Sequence, residues 1–269
     1  LAEPDSHKHR ALAARGDVRP EILYYLATDP SPEVRREVAR NPATPHKAAR
    51  ILATDDEDDV RAELARKIAR LLPDSDDQDQ AATRECAIAL LEQLANEQLP
   101  KIRRIIAEEL KSSPAAPRDL IRRLAADPIL EVAAPVLQYS PLLSDDDLRE
   151  IIAFTKVKGA LTAIARRANV SARVADGIAA ALDVPAVAAL LANPNADIRE
   201  DTLNFIIDNA ARIEDWHGPL VDRPNLSMRL MQRIAGFVAS SLVDVMVKRQ
   251  DLGPADAEQL LARTRERLQ

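Results

Sequence analysis

Residues 11–36 lie over residues 37–62 at an offset of 26 with no gap. Leu26-Ala27-Thr28-Asp29 recurs as Leu52-Ala53-Thr54-Asp55, and Val34-Arg35 recurs as Val60-Arg61. A unit of that length holds two short helices and a loop, and it cannot bury its apolar face alone, so copies must stack side by side. The expected class is all-α: an α-solenoid, or superhelix, of stacked antiparallel helix pairs. With 3% aromatic residues and six glycines in 269 residues, a long thin core of Leu, Ala, Val and Ile is favoured over one thick globule.

Charge and cysteine content remove several functions. Charged residues make up 30% of the chain and nearly cancel to a net of −6, which argues against a general nucleic-acid or anionic-membrane partner. Cys86 is the only cysteine, so neither a disulfide framework nor a thiolate metal cluster is expected, and a reducing cytoplasm is the expected compartment. The longest apolar run, Ile234 to Val247, is interrupted by Asp244 and is too short for a bilayer span, so it reads as a buried helix.

Prolines and capping residues punctuate stretches with apolar residues at three- and four-residue spacing, and no stretch alternates as a half-buried strand would. Helices are expected near 7–15, 19–28, 31–40, 44–54, 57–72, 79–97, 99–112, 116–126, 129–139, 144–155, 157–168, 171–182, 184–192, 196–209, 226–249 and 254–268. The organisation reads as N-terminal repeats over 1–72, an acidic loop or hinge over 73–80, central and C-terminal repeats over 81–225, and a long apolar capping or dimerisation helix with a terminal helix over 226–269. Gly218-Pro219 is expected to interrupt helix between 209 and 226.

A turn recurs between helices as Asn41-Pro42-Ala43-Thr44-Pro45, Ser113-Pro114-Ala115-Ala116-Pro117, Ser140-Pro141-Leu142-Leu143-Ser144, Arg167-Ala168-Asn169-Val170-Ser171 and Arg223-Pro224-Asn225-Leu226-Ser227. Each sets a Ser or Pro where the next helix opens. Asn193-Pro194-Asn195-Ala196-Asp197 fits this turn and fits equally the loop Asp29-Pro30-Ser31-Pro32-Glu33, so its register stays open.

An acidic residue precedes an arginine by six in Asp29 and Arg35, Asp55 and Arg61, and Glu97 and Arg103, with Asn193 before Arg199 at the same distance. That spacing puts the acid at the end of one helix and the arginine in the first turns of its partner, where neighbouring repeats can share a bidentate guanidinium contact. Asp127 to Ala133 breaks the pattern, so the next repeat is expected to pack without the link, and Pro135 suggests a bent helix.

This ladder, with Leu-Ala before the acid, resembles HEAT-type helical repeats, and VRREVARNPATPHKAARILATDDEDDVRAELA resembles their leucine-rich-repeat-variant form. The stretches DPILEVAAPVLQYSPLLSDDDL, AIARRANVSARVADGIAAAL, ALLANPNADI and DRPNLSMRLMQRIAGFV are similar to an uncharacterised bacterial family of HEAT-like proteins. The resemblance covers about residues 10 to 249 and is specific for fold rather than function. It implies that such chains can carry an N-terminal cysteine cluster for iron and sulfur. Because no cysteine precedes Cys86, that cofactor is excluded for these residues, and no cofactor or metal is expected.

His7 and His9 flank Lys8 and read as a frayed end rather than a metal site, and neither His46 nor His217 has a triad or a ligand at helical spacing. No catalytic residue is expected. The partner-binding candidates are Trp216, Tyr25, Phe237 and Met246. Trp216 reads as a plug between repeats or an exposed anchor, and Tyr24 and Tyr25 cannot both face the seam. Phe237 and Met246 lie on a broad apolar stripe from Leu230, with Gly236 and Ser240 permitting close backbone approach. The expected function is a non-catalytic protein-binding scaffold or adaptor whose protein partner is unidentified, with homodimerisation through the C-terminal helix as a second use of that stripe. The alternatives are an enzyme on a HEAT-like array, of the DNA-base glycosylase or tetrapyrrole-lyase kind, or a ligand-responsive regulatory module hinged near residue 75.

Overall fold

The computed structural model describes residues 4–72, 81–224, 226–248, 256, 258–259 and 261–262. Among them the chain is all-α, and the one extended pairing is an isolated bridge between Val170 and Ala196. The acidic segment 73–80 lies outside the described residues, as does most of the expected helix 254–268. The chain divides into two compact units, Leu1–Ser144 and Asp145–Gln269.

The first unit contains α1 (Pro4–Ala13), α2 (Pro20–Leu26), α3 (Pro32–Arg40), α4 (His46–Leu52), α5 (Asp58–Arg70), α6 (Ala81–Ala95), α7 (Pro100–Leu110), α8 (Arg118–Ala125) and α9 (Leu130–Tyr139). Pro opens α2, α3 and α7, where its missing amide leaves nothing unsatisfied and its fixed φ suits the first turn. The residue before each proline is extended, so the chain turns sharply into the helix. Contacts then skip one element: α1 meets α3, α3 meets α5, α5 meets α7 and α7 meets α9, while α2 meets α4 and α6 meets α8. The offset of 26 carries α2 onto α4 and α3 onto α5, so equivalent helices of successive copies face one another. Leu23, Leu26, Val34, Val38, Leu52, Val60 and Leu64 are buried between them. Pro135 sits inside α9, which continues through it to Tyr139.

The second unit contains α10 (Asp145–Phe154), α11 (Ala160–Ala165), α12 (Ala172–Ala180), α13 (Val184–Ala192), α14 (Glu200–Ala210), a 3-10 turn (Glu214–Trp216), α15 (His217–Val221) and α16 (Met228–Lys248). Ser171 caps α12 by accepting from the Val174 amide, and Asp183 caps α13 by accepting from the Ala186 amide at 2.9 Å. Gly159, with φ of 92°, takes the left-handed conformation that opens α11. Contacts again skip an element, from α10 to α12, α11 to α13, α12 to α14 and α14 to α16.

Gly218-Pro219 does not interrupt helix as expected but lies in the first turn of α15. An amide there would have had no intrahelical acceptor, so Pro219 sits in the first turn at no cost in hydrogen bonds. No helix among the described residues is long and apolar enough to cross a membrane.

Candidate binding surface

The six-residue spacing between acid and arginine becomes a joint with two directions. Nη1 of Arg35 donates back to the carbonyls of Asp29 (2.9 Å) and Pro30 (3.2 Å), while Nε and Nη2 reach forward to the two carboxylate oxygens of Asp55 at 2.7 and 2.9 Å. Arg103 repeats this, with Nη1 on the carbonyls of Glu97 (2.7 Å) and Gln98 (3.0 Å) and Nε and Nη2 on Asp127 at 2.6 and 3.2 Å. Arg61 donates back to the Asp55 carbonyl and meets the Glu97 carboxylate with Nε 2.8 Å from Oε1. That Nε–H is not aligned for a hydrogen bond, and Nη2 turns part of its reach to Asp58 at 2.6 Å.

The acids have a second task. Asp29, Asp55 and Asp127 each accept the amide two residues on, from Ser31 (2.9 Å), Glu57 (3.0 Å) and Ile129 (2.9 Å), so one carboxylate both shapes the loop and receives the neighbouring guanidinium. The hydrogen bond to Asp55 is the main reason the Arg35 guanidinium is held above its ordinary pKa, against the opposing effect of its partial burial.

Two sequence expectations change here. His9 is no frayed end: its Nδ1 lies 2.6 Å from Asp29 Oδ2, taking the arginine's place 26 residues before Arg35. Arithmetic on the repeat would have found it. Asp127 keeps the acidic half of the pattern by receiving Arg103, whereas the buried Ala133 supplies no onward donor.

Arg199 does not stand on the ladder. It pairs with Asp176 of α12, which also accepts from Thr202, because Asn193 six residues before it belongs to a different motif. The Asn193 side-chain amide donates to the carbonyls of Ala165 and Arg167, both at 2.8 Å, and its oxygen accepts from the Asn195 amide at 3.0 Å. Asn41 does the same with Ala13 and Arg15, both at 2.7 Å, and with the Ala43 amide at 2.9 Å. The open register is thereby settled in favour of the Asn41 turn. At the next such turn Arg223 clamps the carbonyls of Leu191, Asn193 and Ala196.

On the surface of the first unit a second chain of charges runs across α1, α3, α5 and α7. Glu37 meets Arg10 (3.5 Å) and Arg40 (3.6 Å), Glu63 meets Arg40 (3.2 Å) and Arg66 (2.8 Å), and Glu109 meets Arg66 (3.8 Å) and Arg70 (2.8 Å). Burial pushes the Glu63 carboxyl up, but the two arginines outweigh it and hold the group below its usual range. Beside them opens a cleft of about 450 Å³ with Lys67 in its wall. Burial pushes the Lys67 ammonium down to about 8. Sequence reasoning missed this residue, although it lies 26 residues after Asn41 and donates to the Asn41 carbonyl at 3.3 Å.

Of the expected docking residues, Tyr25 is 71% exposed on α2, next to the exposed Tyr24. Trp216 is fully buried, with Nε1 donating to the Val184 carbonyl at 3.0 Å, which agrees with its reading as a plug and removes it from the docking candidates. The indole fills the space between α13 and the 3-10 turn because that carbonyl gives its N–H a partner. Phe237 is half-buried, its ring 4.8 Å from that of His217, whose Nε2 is 2.8 Å from the Ala210 carbonyl. The Met246 side chain lies outside the described residues. Nothing described lies within 4 Å of where a Gly236 Cβ would stand, and Ser240 Oγ donates to the Gly236 carbonyl. The second unit also exposes Phe154, Phe205, Val221, Met228 and Met231. No group of three potential metal ligands occurs among the described residues.

Residues 132–269, just over half of the chain, match a family described as an uncharacterised protein conserved in bacteria (DUF2336). Comparison with curated proteins finds no match. Among solved structures, the crystal structure of one engineered protein is 17% identical, with a TM-score of 0.36 over 100% of this chain and 75% of the other. A second engineered protein is 16% identical, with a TM-score of 0.25 over 93% of this chain and 98% of the other.

Proposed function

We propose that this chain, which belongs to the DUF2336 family of bacterial proteins, is a HEAT-like α-solenoid that serves as a non-catalytic scaffold for another protein. The solenoid reading is supported by the element-skipping contacts and by the guanidinium joints repeated at the same sequence offset. Such an array uses its inner side chains on itself and leaves whole helix faces for recognition. A cytoplasmic location is part of the same reading, and the single cysteine is compatible with it.

One observation carries the binding role. Tyr24 and Tyr25 stand exposed side by side on α2, with Ile22 at the edge of the same patch. Two adjacent exposed rings stand out in a chain that is 3% aromatic, and tyrosine is enriched among the anchors of protein interfaces.

The test is affinity capture from bacterial extract with the wild type and with the double variant Tyr24→Ser, Tyr25→Ser. A stoichiometric partner kept by the first and lost by the second, at unchanged circular dichroism and melting temperature, supports the reading. Equal retention by both, or no partner for either, counts against it.

A further inference from the structure

The cleft beside α5 is lined by Arg40, Arg66, Lys67 and Arg70 together with the Glu63 carboxylate, and not every cation is answered. Arg40, Arg66 and Arg70 are each held by glutamates, Glu37, Glu63 or Glu109. Of the four cations lining the cleft, Lys67 alone has no carboxylate partner among the described residues, and it is the most buried.

The hydrogen bonds of Lys67 point the same way. Asn41 and Asn193 spend both amide hydrogens on carbonyls of the preceding turn, and Arg223 reaches three carbonyls. Among the described residues Lys67 makes a single hydrogen bond, 3.3 Å from the Asn41 carbonyl, although an ammonium carries three donors. A largely desolvated ammonium with one weak acceptor and no counter-ion among the described residues is unfavourable unless something else completes it. The cleft has room for that, at about 450 Å³, within the roughly 300–1,000 Å³ of small-molecule sites. Pro42 and Leu71 give it an apolar side, and the half-exposed Arg70 can turn from Glu109 toward a bound group.

We propose that this cleft binds a small metabolite through an oxyanion, a phosphate or a carboxylate, with Lys67 as the fixed cation and Pro42 and Leu71 against its carbon portion. The site is separate from the Tyr24 and Tyr25 patch, and its existence does not depend on the scaffold reading. At neutral pH the lysine keeps most of its proton, and an anion beside it would stabilise the charged form that burial disfavours.

Calorimetric titration of the whole chain at pH 7 and low ionic strength, with inorganic phosphate and separately with acetate, tests the proposal and tells the two head groups apart. Saturable one-site binding of at least one anion is expected, weakened tenfold or more in Lys67→Met and unchanged in Lys47→Met, which alters an exposed lysine of α4. Methionine fills the same space, so the fold is expected to survive. Should it not, residue-resolved acetylation of the wild type by N-hydroxysuccinimidyl acetate gives the answer without a variant. The anion found to bind should then slow labelling of Lys67 and leave Lys47 alone. Absence of saturable heat with both anions, binding unaltered by Lys67→Met, or labelling of Lys67 indifferent to either anion would overturn it.

Discussion

Arg35 holds both carboxylate oxygens of Asp55 while its remaining nitrogen reaches back to the carbonyl of Asp29, the acid of its own repeat. The carboxylate side chain is only 5% exposed and the guanidinium side chain 16%, so water screens the pair little. Replacing Asp55 with alanine strands the guanidinium and also removes the acceptor of the Glu57 amide. Urea denaturation should show a loss of about 2–4 kcal/mol for Asp55→Ala. The same substitution at Asp17, whose pair with Arg15 is fully exposed, should leave the midpoint unmoved.

Asn41 and Asn193 predict a matched result in the two units. Each closes a turn by satisfying two backbone carbonyls that no helix serves. Alanine at either position should cost about 2–3 kcal/mol, since buried acceptors lose their donors. Amide exchange should quicken around 41–44 in one variant and around 193–196 in the other, each leaving the opposite unit as it was. Exchange that rises over the whole chain in both would contradict local turn closure.

Trp216 provides a reporter that needs no labelling. As the sole tryptophan and fully buried, it should emit at short wavelength and resist acrylamide quenching until the second unit unfolds. Trp216→Phe keeps most of the packing and loses only the bond to Val184, at about 1 kcal/mol. Trp216→Ala opens a large cavity and should cost about 3–5 kcal/mol. An emission maximum typical of exposed indole in the folded protein would refute its burial.

Lys67 makes stability depend on pH in a stated direction. Its folded-state value of about 8 lies below the ordinary 10.5, so the native state releases the proton first and the unfolded state binds more protons between those limits. The burial penalty acts in full below about pH 8 and disappears as the pH rises to 10.5. In buffer free of phosphate and carboxylates, Lys67→Met should therefore be more stable than the wild type at pH 7 by about 1–3 kcal/mol. That advantage should shrink through the alkaline window, as thermal melts at stepped pH would reveal. A constant difference would show that the amine is not desolvated.

The helices, the offset and the acid-to-arginine spacing were readable because each repeats along the chain. What a linear pattern withholds is direction. The spacing marks Asp29, Arg35 and Asp55, but it does not say that Arg35 takes a carbonyl from the first and a carboxylate from the second. Arg199 departs from the spacing for a related reason: Asn193 satisfies the interval, yet an asparagine amide serves carbonyls where a carboxylate would serve a guanidinium. His9 and Lys67 were missed because their residue types differ from those at the matching positions, although their numbers fit. Trp216 illustrates a limit of composition, since a ring amid polar neighbours in sequence is buried by helices distant in sequence.

The interchangeable joints have an evolutionary consequence. Excising residues 37–62 would bring Arg35 to the place Arg61 now holds, still facing Glu97, and doubling that stretch would insert another Arg-to-Asp contact identical to those beside it. Doubling also repeats the Asn41 turn, whereas excision sets Lys67 in its place, so tandem copying of this 26-residue stretch lengthens the N-terminal unit more readily than it shortens it.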